Sequence, residues 1–239
     1  MKKTQKLPTK EQILRMVMIA LFCALAYAAM HLFHIKVTFL TFDIKDCIIT
    51  IGGLLFGPVA AVITSAVVAL LEFLTVSDTG FYGLLMNFIS SATFACIAAL
   101  IYRMRRDLVG AVIGLTSAVF GVTAVMLLMN LFIVPLYTPG LTTQAVVGML
   151  PKLLLPFNLT KATMNAALVL ILYKPVATAI RYARVKLPGQ TAASGEPRKT
   201  DYRTTILISI AGLALIAASL ILFFVLLGGH IDWFIKPGT

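Results

Sequence analysis

Residues 150–175 read LPKLLLPFNLTKATMNAALVLILYKP, an apolar helix carrying a polar stripe. Asn158, Lys161 and Asn165 fall at i, i+3 and i+7, the spacing that sets three side chains on one helical face. An ammonium and two amides at hydrocarbon depth are costly unless they face a bundle interior, a water-filled cavity or a ligand. Hydrogen bonding between helices is one explanation, since Asn and Thr do this in membrane bundles. A binding site is the other, and it has more use for Lys161.

The surrounding chain has the composition of a membrane protein. It is 60% hydrophobic and 12% charged, with a mean hydropathy of +0.98, whereas a soluble domain carries about a quarter charged residues. Apolar runs of spanning length recur along nearly all of it, with no alternating pattern of the kind a β-barrel needs. The expected fold is therefore an all-α integral membrane bundle. A net charge of +11 does not signal nucleic acid, because the Lys and Arg residues cluster between the apolar segments, where they set topology. Cys23, Cys47 and Cys96 lack metal-ligand spacing and read as small buried apolar residues.

Working outward, a basic leader (1–12) precedes a first helix over about 13–33, with no convincing cleavage site behind it. Ala20, Ala24 and Ala28 repeat at i, i+4 and i+8, giving a small-residue face that serves either as an internal packing seam or as a docking face for another subunit. The alternation from Lys36 to Phe42 predicts an extended piece folding back over the bundle mouth, with Asp43, Lys45 and Asp46 able to pair with each other or with a ligand. A short second helix is expected from about Cys47 to the turn Phe56-Gly57-Pro58, and a third from Val59 to Leu74. Glu72 is expected at the membrane interface, with Lys161 or Lys45 as its alternative partner. A fourth helix closes at Tyr102 and a fifth spans Val109 to Val134, carrying Asn130 at a depth comparable to Asn158. PLYTPGLTTQAVVG is expected to be an outer loop, and Pro151 and Pro156 to interrupt or bend the start of the sixth helix.

The six-helix core thus covers 13–184. It is followed by a flexible cytoplasmic linker (185–203), a further apolar helix (204–227) resembling an appended anchor, and an outer tail (228–239). Fifteen of the 20 Lys and Arg residues fall in segments placed inside, which predicts a cytoplasmic N-terminus and an outer C-terminus. No GxxxxGK[ST], HExxH, CxxC or GxSxG motif occurs. Neither catalysis nor a resident cofactor is expected, and a metal site is not. A compact ligand with donors and acceptors suits an outward-facing polar pocket.

FLTFDIKD, then IGGLLFGPVAAVITS, then LPFNLTKATMNAALVLILYKP resembles the substrate-binding S components of energy-coupling factor (ECF) vitamin transporters, most closely the riboflavin-specific type. The resemblance implies a multi-pass protein of the cell membrane that binds vitamin at its outer side. It implies a transmembrane coupling subunit and two ATP-binding subunits as partners. Carried onto this chain, Asn130, Asn158 and Lys161 become ligand contacts, the segment from Phe39 to Lys45 part of a lid, and Ala20, Ala24 and Ala28 the coupling-subunit face. An Asn amide matches the imide edge of a flavin with one donor and one acceptor, and Lys161 can donate to a ring carbonyl. Asn165 completes the polar stripe, Asp43 and Lys45 flank it, and Leu40, Phe42, Phe157 and Met164 are candidate walls for the dimethylbenzene end. The alternatives are another vitamin, a flavin phosphate, or a membrane scaffold protein without transport activity.

Overall fold

The computed structural model of the 239-residue chain describes residues 9–33, 35–37, 40–77, 79–138, 140–182, 210–215, 217–219 and 221. The linker and outer tail expected at 185–203 and 228–239 lie outside the described residues, as do most of the leader and Phe39.

Local chemistry fixes the helix ends. α1 (Lys10–Leu32) starts in a capping box, Thr9 and Gln12 each bonding the other's backbone N–H. A two-stranded antiparallel hairpin follows, β1 (Ile35–Val37) and β2 (Leu40–Phe42), with Ile35 opposite Phe42 and Lys36 opposite Thr41. The alternating segment is thus extended, as its pattern predicts. α2 (Lys45–Phe56) ends at Gly57, whose φ of +96° suits glycine, and Pro58 opens α3 (Pro58–Thr75) at a position where its missing N–H costs nothing. α4 (Gly80–Met104) leads to α5 (Leu108–Tyr137), capped by Asp107, whose Oδ1 accepts from the Gly110 N–H at 2.7 Å. That bond, with the Arg105 guanidinium beside it, holds the Asp107 carboxyl below the usual carboxylate range.

The last core helix begins earlier than expected. Most of the stretch 135–148 is helical: α5 runs on past Pro135, and α6 (Thr143–Met149) starts from its Thr142 cap. A π turn, Leu150–Leu154, then joins α6 to α7 (Leu155–Tyr182). Pro156 can give no N–H to the carbonyl four residues back and its ring crowds that turn, so the widened turn lies where Pro151 and Pro156 were expected to interrupt the helix.

Among the described residues, five helices are long and apolar enough to cross a membrane: Lys10–Leu32, Pro58–Thr75, Gly80–Met104, Leu108–Tyr137 and the bent Thr143–Val176. α2 has 12 residues, about 18 Å, short of a hydrocarbon core of about 30 Å. It sits at the centre instead. Every α2 residue except Ile48 is buried, and it packs on α1, α3, α4 and α7. A Cβ at Gly53 would lie 2.9 Å from that of Ala61, so glycine permits the close approach to α3. Large side chains on the bundle's outside, among them Leu74, Phe120, Phe132 and Leu136, are exposed, as lipid contact requires. Of the last apolar run, 210–215 and 217–219 are helical. Gly212 and Ser219 are buried there, and a Cβ at Gly212 would lie 2.7 Å from Ile171 Cγ1, so this run packs on α7.

Consecutive core helices run up and down, so Leu32, the hairpin and the start of α2 share one end of the bundle with the ends of α3 and α5. At the opposite end Arg15 donates to the Phe56 carbonyl at 2.7 Å, and the Tyr102 and Tyr173 hydroxyls meet at 2.7 Å. The Arg15 cation thereby satisfies one of the orphan carbonyls at the C-terminus of α2.

Candidate functional site

α7 brings its polar stripe against the first turn of α2. Ile44, the residue at the N-cap of α2, offers no side-chain acceptor, and the missing cap comes from α7. Asn165 Oδ1 accepts from the Cys47 N–H at 2.8 Å, while its Nδ2 donates to the Asp43 carbonyl at 3.1 Å and the Lys161 carbonyl at 3.0 Å. One turn earlier, Lys161 Nζ donates to the Thr41 carbonyl at 3.0 Å and to Asp43 Oδ2 at 2.9 Å. Lys161 and Asn165 therefore clasp the hairpin and the α2 N-terminus to α7.

Around this clasp lies a network of buried charge. Asp43 is fully buried; that burial would raise its pKa, but the Lys161 and Lys45 ammonium groups outweigh it and hold the carboxyl below its ordinary range. Lys45 is 1% exposed, lies 3.6 Å from Asp43 Oδ2 and donates to Glu72 Oε2. Glu72 is accordingly not an interfacial carboxylate. The first turn of α2 carries Lys45 into the bundle facing the last turns of α3, and a buried ammonium needs a counter-charge, which Glu72 supplies.

Beside the clasp a cleft of about 240 Å³, counting the space continuous with its mouth, is lined by Asp46, Ser90, Phe94, Val122, Asn158, Lys161, Ala162 and Asn165. All three stripe residues share it. Asn158 donates one amide N–H to the Leu154 carbonyl at 2.8 Å on its own helix, leaving its Oδ1 for another donor. The lining thus offers amides, an ammonium and a carboxylate on one side and apolar surface from Phe94, Val122 and Ala162 on the other.

Other expected site residues lie elsewhere. Asn130 is fully buried in α5, donates to the Met126 carbonyl at 2.6 Å, and its Oδ1 has no hydrogen-bond partner; it does not line the cleft. Leu40, Phe42, Phe157 and Met164 are packed in the core, where Phe42 and Phe157 meet edge to face at 6.1 Å. They anchor the hairpin to α7. Asp43 and Lys45 hold the charge network without lining the cleft. Sequence reasoning missed Ser90, Phe94, Val122 and Ala162, and took Asp46 only as a group able to pair with Asp43, Lys45 or a ligand. The signal for α4 was available, because Ser90 and Ser91 form a polar pair in the middle of an apolar helix.

On α1 the buried side is Phe22, Cys23, Ala26, Ala29 and Met30, while Ala20, Ala24 and Ala28 are exposed. The small-residue face is not an internal seam. α1 packs on α2 and α3 with its other side, because its larger apolar residues and Cys23 fill the space beside them. Cys23 and Cys47 are buried and Cys96 is half-buried. Among the described residues no group of three or more His, Cys, Asp or Glu side chains is arranged to hold a metal ion.

Residues 14–177 match the family described as "ECF transporter, substrate-specific component". The chain is similar to a protein named riboflavin transporter RibU of Staphylococcus aureus (strain TCH60), at 28% identity over 149 residues, 60% of this chain and 78% of that protein. It is also similar to a solved structure described as "Structure and mechanism of the S component of a bacterial ECF transporter". The TM-score there is 0.60 at 28% identity, covering 71% of this chain and 99% of that one.

Proposed function

The chain belongs to the family of ECF transporter substrate-specific components, and from that premise we propose that it captures riboflavin at the outer side of the cell membrane for uptake. The observation that carries this is the cleft in which the α7 stripe of Asn158, Lys161 and Asn165 meets the start of α2. The similarity to a protein named as a riboflavin transporter supports the choice of ligand. An amide at Asn158 with a free acceptor matches an imide N–H, and the Lys161 ammonium matches a ring carbonyl. Asn130, outside the cleft on α5, keeps a buried Oδ1 without a hydrogen-bond partner, an acceptor that a ligand reaches only if the packing around it opens.

Without the open space at its mouth the cleft holds about 10 Å³, room for about one water, far below the ~300–1,000 Å³ usual for pockets that take drug-sized ligands. A tricyclic flavin therefore enters by displacing groups at the mouth. Lys161 is placed for this: its side chain is 13% exposed and reaches across to the hairpin, so its bond to the Thr41 carbonyl can be exchanged for one to the ligand. Asp43 stays beside it as the counter-charge. Delivery across the membrane then requires a transmembrane coupling subunit and two ATP-binding subunits, with the exposed face of Ala20, Ala24 and Ala28 as the docking surface. The N-terminus lies in the cytoplasm.

Titration of riboflavin into the full chain, purified in detergent from riboflavin-free medium, tests the proposal through quenching of flavin fluorescence. Saturable binding is expected for the wild type, with a loss of about tenfold or more in Lys161→Ala, the size of a charge-assisted hydrogen bond. A folded, monodisperse wild type that binds no riboflavin overturns the assignment.

A further inference from the structure

Most of the polar lining of the cleft is already spent. The Asn165 amide accepts from the Cys47 N–H and uses both of its own N–H groups on the Asp43 and Lys161 carbonyls, while Lys161 donates to Asp43 and to the Thr41 carbonyl. Asp46 differs. It is 5% exposed and lines the cleft beside Asn158 and Lys161. Its Oδ1 receives the Ser91 hydroxyl, and its Oδ2 has no hydrogen-bond partner among the described residues.

A count of charges gives the state of this carboxyl group. Three buried acids, Asp43, Asp46 and Glu72, share the region with two ammonium groups, Lys45 and Lys161. Lys45 bonds Glu72 and lies beside Asp43, and Lys161 bonds Asp43. Lys161 and Lys45 attract a charge on Asp46 and Asp43 repels it, but neither ammonium is within ion-pairing distance of it. Among the described residues α4 and α5 bring no charged group to the cleft. An excess charge is expensive in a buried cluster, and the acid without a partner takes up a proton instead. With Asp46 neutral the cluster holds two charges of each sign.

We propose that Asp46 is a ligand-contacting residue held as a neutral acid, its carboxyl O–H donating from Oδ2 to an acceptor of the bound molecule. The proposal rests on the flavin reading and deepens it. The imide edge of an isoalloxazine sets one N–H between two carbonyl oxygens, so it asks for more donors than acceptors. Asn158 Oδ1 meets the N–H and Lys161 one carbonyl. Asp46, beside both, supplies a donor for the other. Ser91 fixes the orientation, because the oxygen that accepts its hydroxyl leaves the opposite oxygen to carry the proton. An ionised Asp46 would set acceptor against acceptor there.

Two measurements on the full chain in detergent test this. The infrared difference between ligand-free wild type and Asp46→Asn at neutral pH is expected to contain the C=O stretch of a protonated carboxylic acid, and saturating riboflavin to shift that band. A difference spectrum with only ionised-carboxylate bands, or an acid band that bound riboflavin leaves unmoved, overturns the proposal. Riboflavin titration by fluorescence quenching is the second measurement. Asp46→Leu is expected to weaken binding by about tenfold or more, and Asp46→Asn, which keeps a neutral N–H donor beside Ser91, to recover most of that loss. Asparagine as damaging as leucine, or leucine without effect, overturns the donor role while leaving riboflavin as the ligand. A wild type that shows the acid band but binds no riboflavin removes the flavin reading, and donation to a flavin with it.

Discussion

Replacing Asn165 with leucine, a side chain of similar volume, removes the clasp between α7 and α2 while leaving the helix propensity of α7 intact. Two hydrogen bonds between elements disappear: Cys47 N–H to Oδ1 at 2.8 Å and Nδ2 to the Asp43 carbonyl at 3.1 Å. Asn165 is 1% exposed, so water does not readily replace them. Polar contacts between membrane helices average about 0.6 kcal/mol each, and a buried backbone group left without a partner costs about 1–3 kcal/mol. A loss of about 2 kcal/mol lies between these bounds, or roughly 4–8 °C in melting midpoint at this chain length. Asn158→Leu is the control. Asn158 shares the stripe, but its amide hydrogen bond goes to the Leu154 carbonyl of its own helix, so it should cost under about 0.5 kcal/mol. Thermal unfolding in one detergent, followed by tryptophan-independent light scattering or a thiol-reactive dye, reads both variants. A midpoint for Asn165→Leu within about 1 °C of wild type, or an equal fall in the two variants, would refute the assignment of Asn165 as a structural clasp.

The buried pair of Lys45 and Glu72 should show strong coupling. Lys45→Met leaves Glu72 buried without its cation, while Asp43 keeps Lys161, and is expected to cost about 3–5 kcal/mol, whereas adding Glu72→Gln recovers much of that loss. Equal melting midpoints for the single and double variants would show that the two side chains do not depend on each other. On the outside of the bundle, Ala24→Trp should spare riboflavin binding and abolish uptake by cells expressing the complete transporter, because an indole prevents close approach of a second helix. Loss of binding in that variant, with folding intact, would place α1 in the ligand site instead.

The membrane class, the bounds of most helices and the polar stripe on α7 were legible in the chain itself. They depend on hydropathy, on residue spacing and on Pro, Gly and Thr at helix ends, all of which act within a few residues. The helix at both ends of 135–148 was not legible, since packing in a membrane bundle tolerates a proline near a helix end that propensity alone reads as a break. Nor was the position of α2: a short apolar helix looks the same in sequence whether it lies at the edge or the centre.

What the tertiary structure alone decided is which buried polar groups meet. Asn165 and Cys47 are 118 residues apart in sequence, Lys45 and Glu72 are 27 apart, and Asp46 joins the cleft through helices that approach it from α4 and α7. Sequence supplied Lys45 and Lys161 as possible partners for Glu72, and each was chemically acceptable. The choice between them followed from the faces that α2 and α3 turn to each other, because a buried charge takes the counter-charge within reach and the packing of the bundle determines which one that is.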